Sequence, residues 1–270
     1  MNNNTILEPL AGGFTWITGG GTRITIKLSR PWQKPLGDII NPKTCNLCTK
    51  PQEEIPLKGL PLDWRLLPNP WTPHEHHRLA VPKECWSPDK LEILGGLSGI
   101  RDALEVMRLA TSEEKIEITM FIHVGQFAGQ NIGHAHWHIH ELKARKPFEA
   151  QSIKFNPKTI VRKSKRFFTI AHGTRSGECI IVPNEKTLFD ENSLEEIAAE
   201  MFWIIEKGNL KFLSEQWLRP QFIATIRISA DKKIRYADYC PILTVWGGPE
   251  TITAPLEGGP ITLPWPHETT

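Results

Sequence analysis

Four histidines recur at every second position in His134-Ala135-His136-Trp137-His138-Ile139-His140. In an extended strand successive side chains point to opposite faces, so the four imidazoles share one face and Ala135, Trp137 and Ile139 share the other. Near neutral pH an imidazole can ligate a metal, carry a proton or attack an electrophile. Same-face neighbours start about 6.6 Å apart, too far for all four to surround one tetrahedral zinc with bonds of about 2.0–2.1 Å. The four must therefore divide the work.

Cys45-Asn46-Leu47-Cys48 offers a second set of ligands. Five cysteines are too few and too odd in number for a disulfide scaffold, and no thioredoxin-like βαβ pattern surrounds the pair, which favours metal binding over redox chemistry. A structural zinc wants four N or S ligands in a tetrahedron, so two more are needed.

The elements that must hold these residues are mostly short and extended, as ten tryptophans and 22 prolines suggest. Phe14 to Leu28 reads as a hairpin broken at Gly19-Gly20-Gly21, and Trp64 to Pro68 and Arg78 to Val81 read as strands. A helix is expected over about Asp89 to Ala110, weakened early by Gly95, Gly96 and Gly99. Ile116 to Val124 is then a strand, Gly125 to Gly133 a glycine-interrupted loop, and His134 to Leu142 the histidine strand. The order repeats weakly: strands at Phe167 to His172 and Glu178 to Val182, a helix at Ser193 to Phe212, and strands at Phe222 to Ile228 and Ile234 to Val245. Leu79-Ala80-Val81-Pro82-Lys83-Glu84 parallels Ile180-Ile181-Val182-Pro183-Asn184-Glu185, each ahead of a helix. The fold class is therefore α+β, in two tandem units that divide the chain into 1–148 and 149–270.

At 270 residues the chain can build two modest cores, and 32 Lys plus Arg against 30 Asp plus Glu leaves a formal charge of +2. That balance argues against a nucleic-acid polyanion as the main partner. No basic and apolar leader is evident in the first thirty residues, and no run of about 18 apolar residues occurs, so the expectation is a cytoplasmic protein with no membrane partner.

Gly129-Gln130-Asn131-Ile132-Gly133-His134-Ala135-His136-Trp137-His138 resembles the signature of the histidine triad superfamily. Within it, the succession of Arg30-Pro31-Trp32-Gln33, Cys45/Cys48, Asn69 and His134/His136 resembles the galactose-1-phosphate uridylyltransferase branch. Specific motifs cover most of residues 1–145, and from 150 onward the likeness is of fold alone. The resemblance implies two histidine-triad-like units, each an antiparallel sheet with a packed helix. It implies that His136 attacks the α-phosphorus of a nucleotide and carries it as a nucleotidyl-histidine. The loop residues Gly129, Gln130 and Asn131 would cradle phosphoryl oxygens, and Arg30, with Arg23 and Lys27 as further candidates, would supply positive charge. Asn69 falls where ribose hydroxyls are bound, Trp71 could stack on a base, and His123 stands where a phosphate contact is made.

The same resemblance implies a structural zinc held by Cys45, Cys48, Cys85 and His134, with Cys85 where the family carries a histidine. The alternative leaves Cys85 free and takes the fourth ligand from His74, His76 or His77. His138 departs from the transferases, which carry glutamine there, toward the nucleotide hydrolases of the superfamily. Ile234-Arg235-Tyr236-Ala237-Asp238-Tyr239 replaces the second His-x-His, so the second unit should be silent and metal-free. The implied activity is nucleotidyl transfer between a nucleotide sugar and a sugar phosphate or phosphate. A hydrolase or phosphorylase of dinucleoside polyphosphates is the second reading, and a non-catalytic nucleotide or metal sensor the third. The partner is then a nucleotide sugar or nucleoside polyphosphate, with a homodimer left open.

Overall fold

The structure, a computed structural model, describes residues 6–10, 13–17, 23–27, 43, 45–49, 53–69, 77–85, 95–111, 116–125, 130, 132–142, 160–171, 179–214 and 222–241. Strands β1 (Ile6–Leu10), β2 (Gly13–Ile17) and β3 (Arg23–Lys27) pair antiparallel in that order. The hairpin read between Phe14 and Leu28 is thus β2 and β3, with β1 added at its edge.

The remaining elements are α1 (Asn46–Thr49), β4 (Trp64–Pro68), β5 (His77–Pro82), α2 (Gly96–Ala110), β6 (Glu117–Val124), β7 (Trp137–Leu142), β8 (Ile160–Lys163), β9 (Phe167–Ala171), β10 (Cys179–Pro183), α3 (Glu191–Ser214), β11 (Phe222–Ile228) and β12 (Ile234–Pro241). Strands β4 to β12 form one nine-stranded sheet, ordered β4-β5-β7-β6-β11-β12-β10-β9-β8, with antiparallel neighbours throughout. The expected two sheets are therefore joined edge to edge through β6 and β11. Every residue of those two strands is buried, as central strands covered on both faces require. Outward from this pair the succession β7, β5, β4 on one side matches β12, β10, β9 on the other.

Alternation sorts the side chains of the sheet. Ile118, Met120, Ile122 and Val124 of β6, Trp137 and Ile139 of β7, and Ala224 and Ile226 of β11 pack with Ile100, Leu104 and Met107 of α2 and Ile197, Met201 and Ile204 of α3. Each such fully buried aliphatic chain contributes roughly 1.5–3 kcal/mol by leaving water. The opposite face then receives Phe121 and His123 from β6 and His138 and His140 from β7, which is how an apolar strand delivers polar groups to a site.

The helix boundaries have local causes. Gly95 and Gly96 sit at φ 71° and 59°, a left-handed turn that begins α2 at Gly96; positions 89–94 of the expected helix lie outside the described residues. At α3 the Asp190 carboxylate accepts from the Ser193 N–H at 2.9 Å while the Ser193 hydroxyl accepts from the Asp190 N–H at 3.1 Å. This reciprocal cap starts the helix at Glu191, ahead of the expected Ser193. The histidine strand also needs correction. Regular pairing begins at Trp137, not His134, because the His134 side chain is drawn to the Pro82 carbonyl and the Cys45 and Cys48 sulfurs.

Among the described residues, no helix is long and apolar enough to cross a membrane.

Candidate functional site

Cys45, Cys48, Cys85 and His134 come together, with one donor atom from each lying within 4.8 Å of the others. The tight turn of α1 brings the first two sulfurs to one side, through Cys48 N–H and Thr49 N–H donating to the Cys45 carbonyl at 3.0 and 2.9 Å. Arg65 of β4 donates to the Leu47 carbonyl at 2.6 Å and ties that turn to the sheet. The Cys45 and Cys48 sulfurs lie 3.5 and 3.3 Å from His134 Nδ1. A tetrahedral ion with Zn–S and Zn–N bonds of about 2.3 and 2.05 Å would set its S···N edges near 3.6 Å, so the spacing fits.

The His134 tautomer agrees with that reading. Its Nε2 donates to the Pro82 carbonyl at 2.9 Å; a carbonyl only accepts, so the proton is on Nε2 and Nδ1 faces the sulfurs with its lone pair. Burial holds the His134 imidazole down to about 4, which keeps it a neutral ligand, and burial pushes the Cys48 and Cys85 thiols up. A bound cation would reverse the latter by stabilising thiolates.

The next histidine is fixed by the first. His136 Nδ1 donates to the His134 carbonyl at 2.8 Å, so its Nε2 carries the lone pair. Burial lowers its pKa, which favours the nucleophilic neutral form. His138 lies 4.9 Å away, centroid to centroid, at an edge-to-face angle of 65°. Its ring stacks on Phe121 at 4.8 Å and 12°, and burial pushes its pKa well below the usual value, with the neighbouring imidazoles of His136, His77, His123 and His140 adding to the shift.

His77 enters the site from β5. Its Nε2 is 2.8 Å from His138 Nδ1, and the Asn69 amide nitrogen lies 3.1 Å from His77 Nδ1 and 3.2 Å from its Nε2. When the amide donates to Nδ1, His77 Nε2 holds the proton and donates to His138 Nδ1. The His138 proton then sits on Nε2, the other end of the ring. In that arrangement Asn69 and His77 together set the His138 tautomer, with its N–H at Nε2.

His123 shares the face, 5.1 Å from the Phe121 ring and 5.6 Å from His138. Gln130 closes its own loop: its Oε1 accepts from Gly125 N–H at 2.7 Å and its Nε2 donates to the Ile132 carbonyl at 2.9 Å. Gly125, at φ 90°, makes the turn into that loop, a conformation that disfavours any larger residue. Asn69 is buried with its amide on His77. Arg30, Gly129 and Asn131, with Trp71, His74 and His76, lie outside the described residues. His77, in the sequence only an alternative zinc ligand, lies instead with His138 and His140, because β5 begins at His77 and not at the expected Arg78. The histidine just before an apolar strand was the available signal.

The described residues thus set a nine-stranded antiparallel sheet between α2 and α3 on one face and alternating histidines on the other. No family model matches the chain, and no curated protein matches it by sequence. Solved structures do share its fold. A yeast Ap4A phosphorylase is 13% identical over 89% of this chain and 74% of its own, with a TM-score of 0.54. A uridylyltransferase is 16% identical over 85% of this chain and 86% of its own, with a TM-score of 0.53. An ADP-glucose phosphorylase from Arabidopsis thaliana, with bound ADP-glucose, is 15% identical over 67% of this chain and 72% of its own, with a TM-score of 0.50. Against the yeast phosphorylase in its Ap4A complex, the chain spans 56% of that protein's length.

Proposed function

We propose that the chain is a nucleotidyltransferase that passes a nucleoside monophosphate group from a nucleotide sugar to a sugar phosphate or phosphate through a covalent adduct on His136. The observation that carries this reading is the His134 carbonyl holding His136 Nδ1 at 2.8 Å, which presents Nε2 as the nucleophile. In the first step the Nε2 lone pair forms a bond to the α-phosphorus, and the bond from phosphorus to the bridging oxygen breaks. The leaving sugar phosphate keeps that electron pair, and the neutral His138 offers its Nε2–H to it as a hydrogen bond. In the second step an acceptor phosphate oxygen attacks the same phosphorus, the N–P bond breaks and His136 recovers its lone pair.

Zinc, held by Cys45, Cys48, Cys85 and His134, would supply no reaction step but a rigid anchor. His134 bonds the cluster with one end of its ring and positions His136 with its backbone carbonyl. Arg30, Gly129, Asn131, Gln130, His123 and Asn69 are proposed to surround the nucleotide, with Gln130 and Asn69 acting through the loop and histidine they hold. Residues 1–148 would carry the chemistry and 149–270 would complete the sheet.

A second reading, phosphorolysis or hydrolysis of dinucleoside polyphosphates, is favoured by His138, since a proton donor there serves more kinds of leaving group than an amide would. A sensor without turnover would have no use for a presented His136 Nε2.

Incubation with labelled UDP-glucose, and separately with a diadenosine polyphosphate, followed by intact mass under conditions that keep phosphoramidates, tests the mechanism. One nucleotidyl group per chain is expected, and none from any donor would refute it. Transfer to a sugar phosphate without free mononucleotide separates the first reading from the second. Metal analysis of Cys85→Ala should show loss of bound zinc; undiminished binding would remove Cys85 from the ligand set.

A further inference from the structure

His77, His138 and His140 form a second group in which one ring nitrogen from each lies within 4.8 Å of the others. Strand register causes it. His77 is the Cα partner of His140, and Leu79 of His138, so β5 places its histidine beside the two from β7. The His77 and His140 rings are 3.6 Å apart between centroids, and His77 Nε2 is 2.8 Å from His138 Nδ1. Phe121 forms an aromatic floor, stacked 4.8 Å from His138 and 5.5 Å from His140.

Three neutral imidazoles are a strong donor set for zinc, copper or nickel, and a three-histidine site leaves one position open for water or another ligand. With metal–nitrogen bonds of about 2.0–2.1 Å, tetrahedral N···N edges are about 3.3 Å. The 2.8 Å pair would open by about half an ångström, within the freedom of a side-chain rotation. We propose that His77, His138 and His140 bind a divalent transition metal such as zinc, at a site distinct from the Cys45, Cys48, Cys85 and His134 cluster.

Binding need not change any charge on the ligands: His138 keeps its proton on Nε2, while His77 shifts its proton from Nε2 to Nδ1 and the Asn69 side chain turns its carbonyl oxygen to accept it. A metal on His138 Nδ1 leaves the His138 proton on Nε2, as the hydrogen bond from His77 does. The site is thus compatible with the proposed transfer, a point that rests on that reading. Metal uptake itself is measured without nucleotide, so its failure is separable from failure of the transfer chemistry.

The test titrates Zn2+ into the whole chain with its first cluster already filled. One further equivalent is expected, and His140→Gln should bind it roughly a hundredfold more weakly while keeping the first equivalent. No further equivalent in the native protein, or undiminished uptake by His140→Gln, would overturn the proposal. Should that variant fail to fold, Co2+ added to the native protein decides: ligand-field bands without thiolate charge transfer support the site, and thiolate bands alone, or no new bands, overturn it.

Discussion

The two halves of the sheet place different chemistry on equivalent positions. In the first half Ala80 pairs with Trp137 and Phe121 with His138; in the second Ile181 pairs with Ala237 and Thr225 with Asp238. The same register therefore sets Tyr236 against His136, Asp238 against His138, Cys240 against His140 and Arg227 against His123. On the first side the face holds five imidazoles, and burial pushes the pKa values of His136 and His138 down. On the second, Arg227 donates to Glu117 at 2.6 Å in a buried ion pair, and burial raises the Tyr236 hydroxyl. The frame is shared and the reactive groups are not, so strand order alone carries no activity. Arg227 on β11 also reaches across to β6, so the second half spends its polar groups on joining the halves.

The sharpest way to break this contrast is substitution at the paired positions. His136→Asn should lower kcat on the order of 10^4-fold, as loss of a covalent nucleophile does, while Tyr236→Phe stays within about twofold of native. Equal losses in steady-state assays would show that the halves act together. Next in size, Arg227→Met should leave Glu117 buried without its cation and cost about 3–5 kcal/mol of stability, read by urea denaturation, with kcat per folded molecule unchanged. A loss below about 1 kcal/mol would show that the ion pair does not join the halves.

Acid should affect the first half first. His134 is held down to about 4 in the folded chain against an ordinary 6.5, so the unfolded chain takes up its proton first. The stability from this group is complete above about 6.5 and is lost as pH falls toward 4. Between pH 7 and pH 5 the metal-free protein should lose about 2 kcal/mol through His134 alone, measured as a drop in the urea midpoint. A midpoint that holds or rises would contradict the buried, neutral assignment.

Much of this was legible in local pattern. β4 and β11 occupy the ranges read from their apolar and β-branched runs, and the Cys45, Cys48, Cys85 and His134 set converges as the resemblance implied. What escaped depends on partners distant in sequence. His77 joins the site because β5 registers against β7, 63 residues away at His140, and no local periodicity encodes that register. The start of β7 at Trp137 follows from the grip of Pro82 and the cysteines on His134, which alternation along the strand does not reveal. The fusion of two expected sheets into one likewise rests on the β6–β11 register, a tertiary fact.

The most direct measurement locates the adduct. After incubation with a labelled nucleotide donor and trapping of phosphoramidates, proteolysis and mass spectrometry of the peptides should place one nucleotidyl group on His136. The peptide bearing Tyr236 and Asp238 should remain unlabelled. Label on the second-half peptide, or on another histidine in place of His136, would contradict the account.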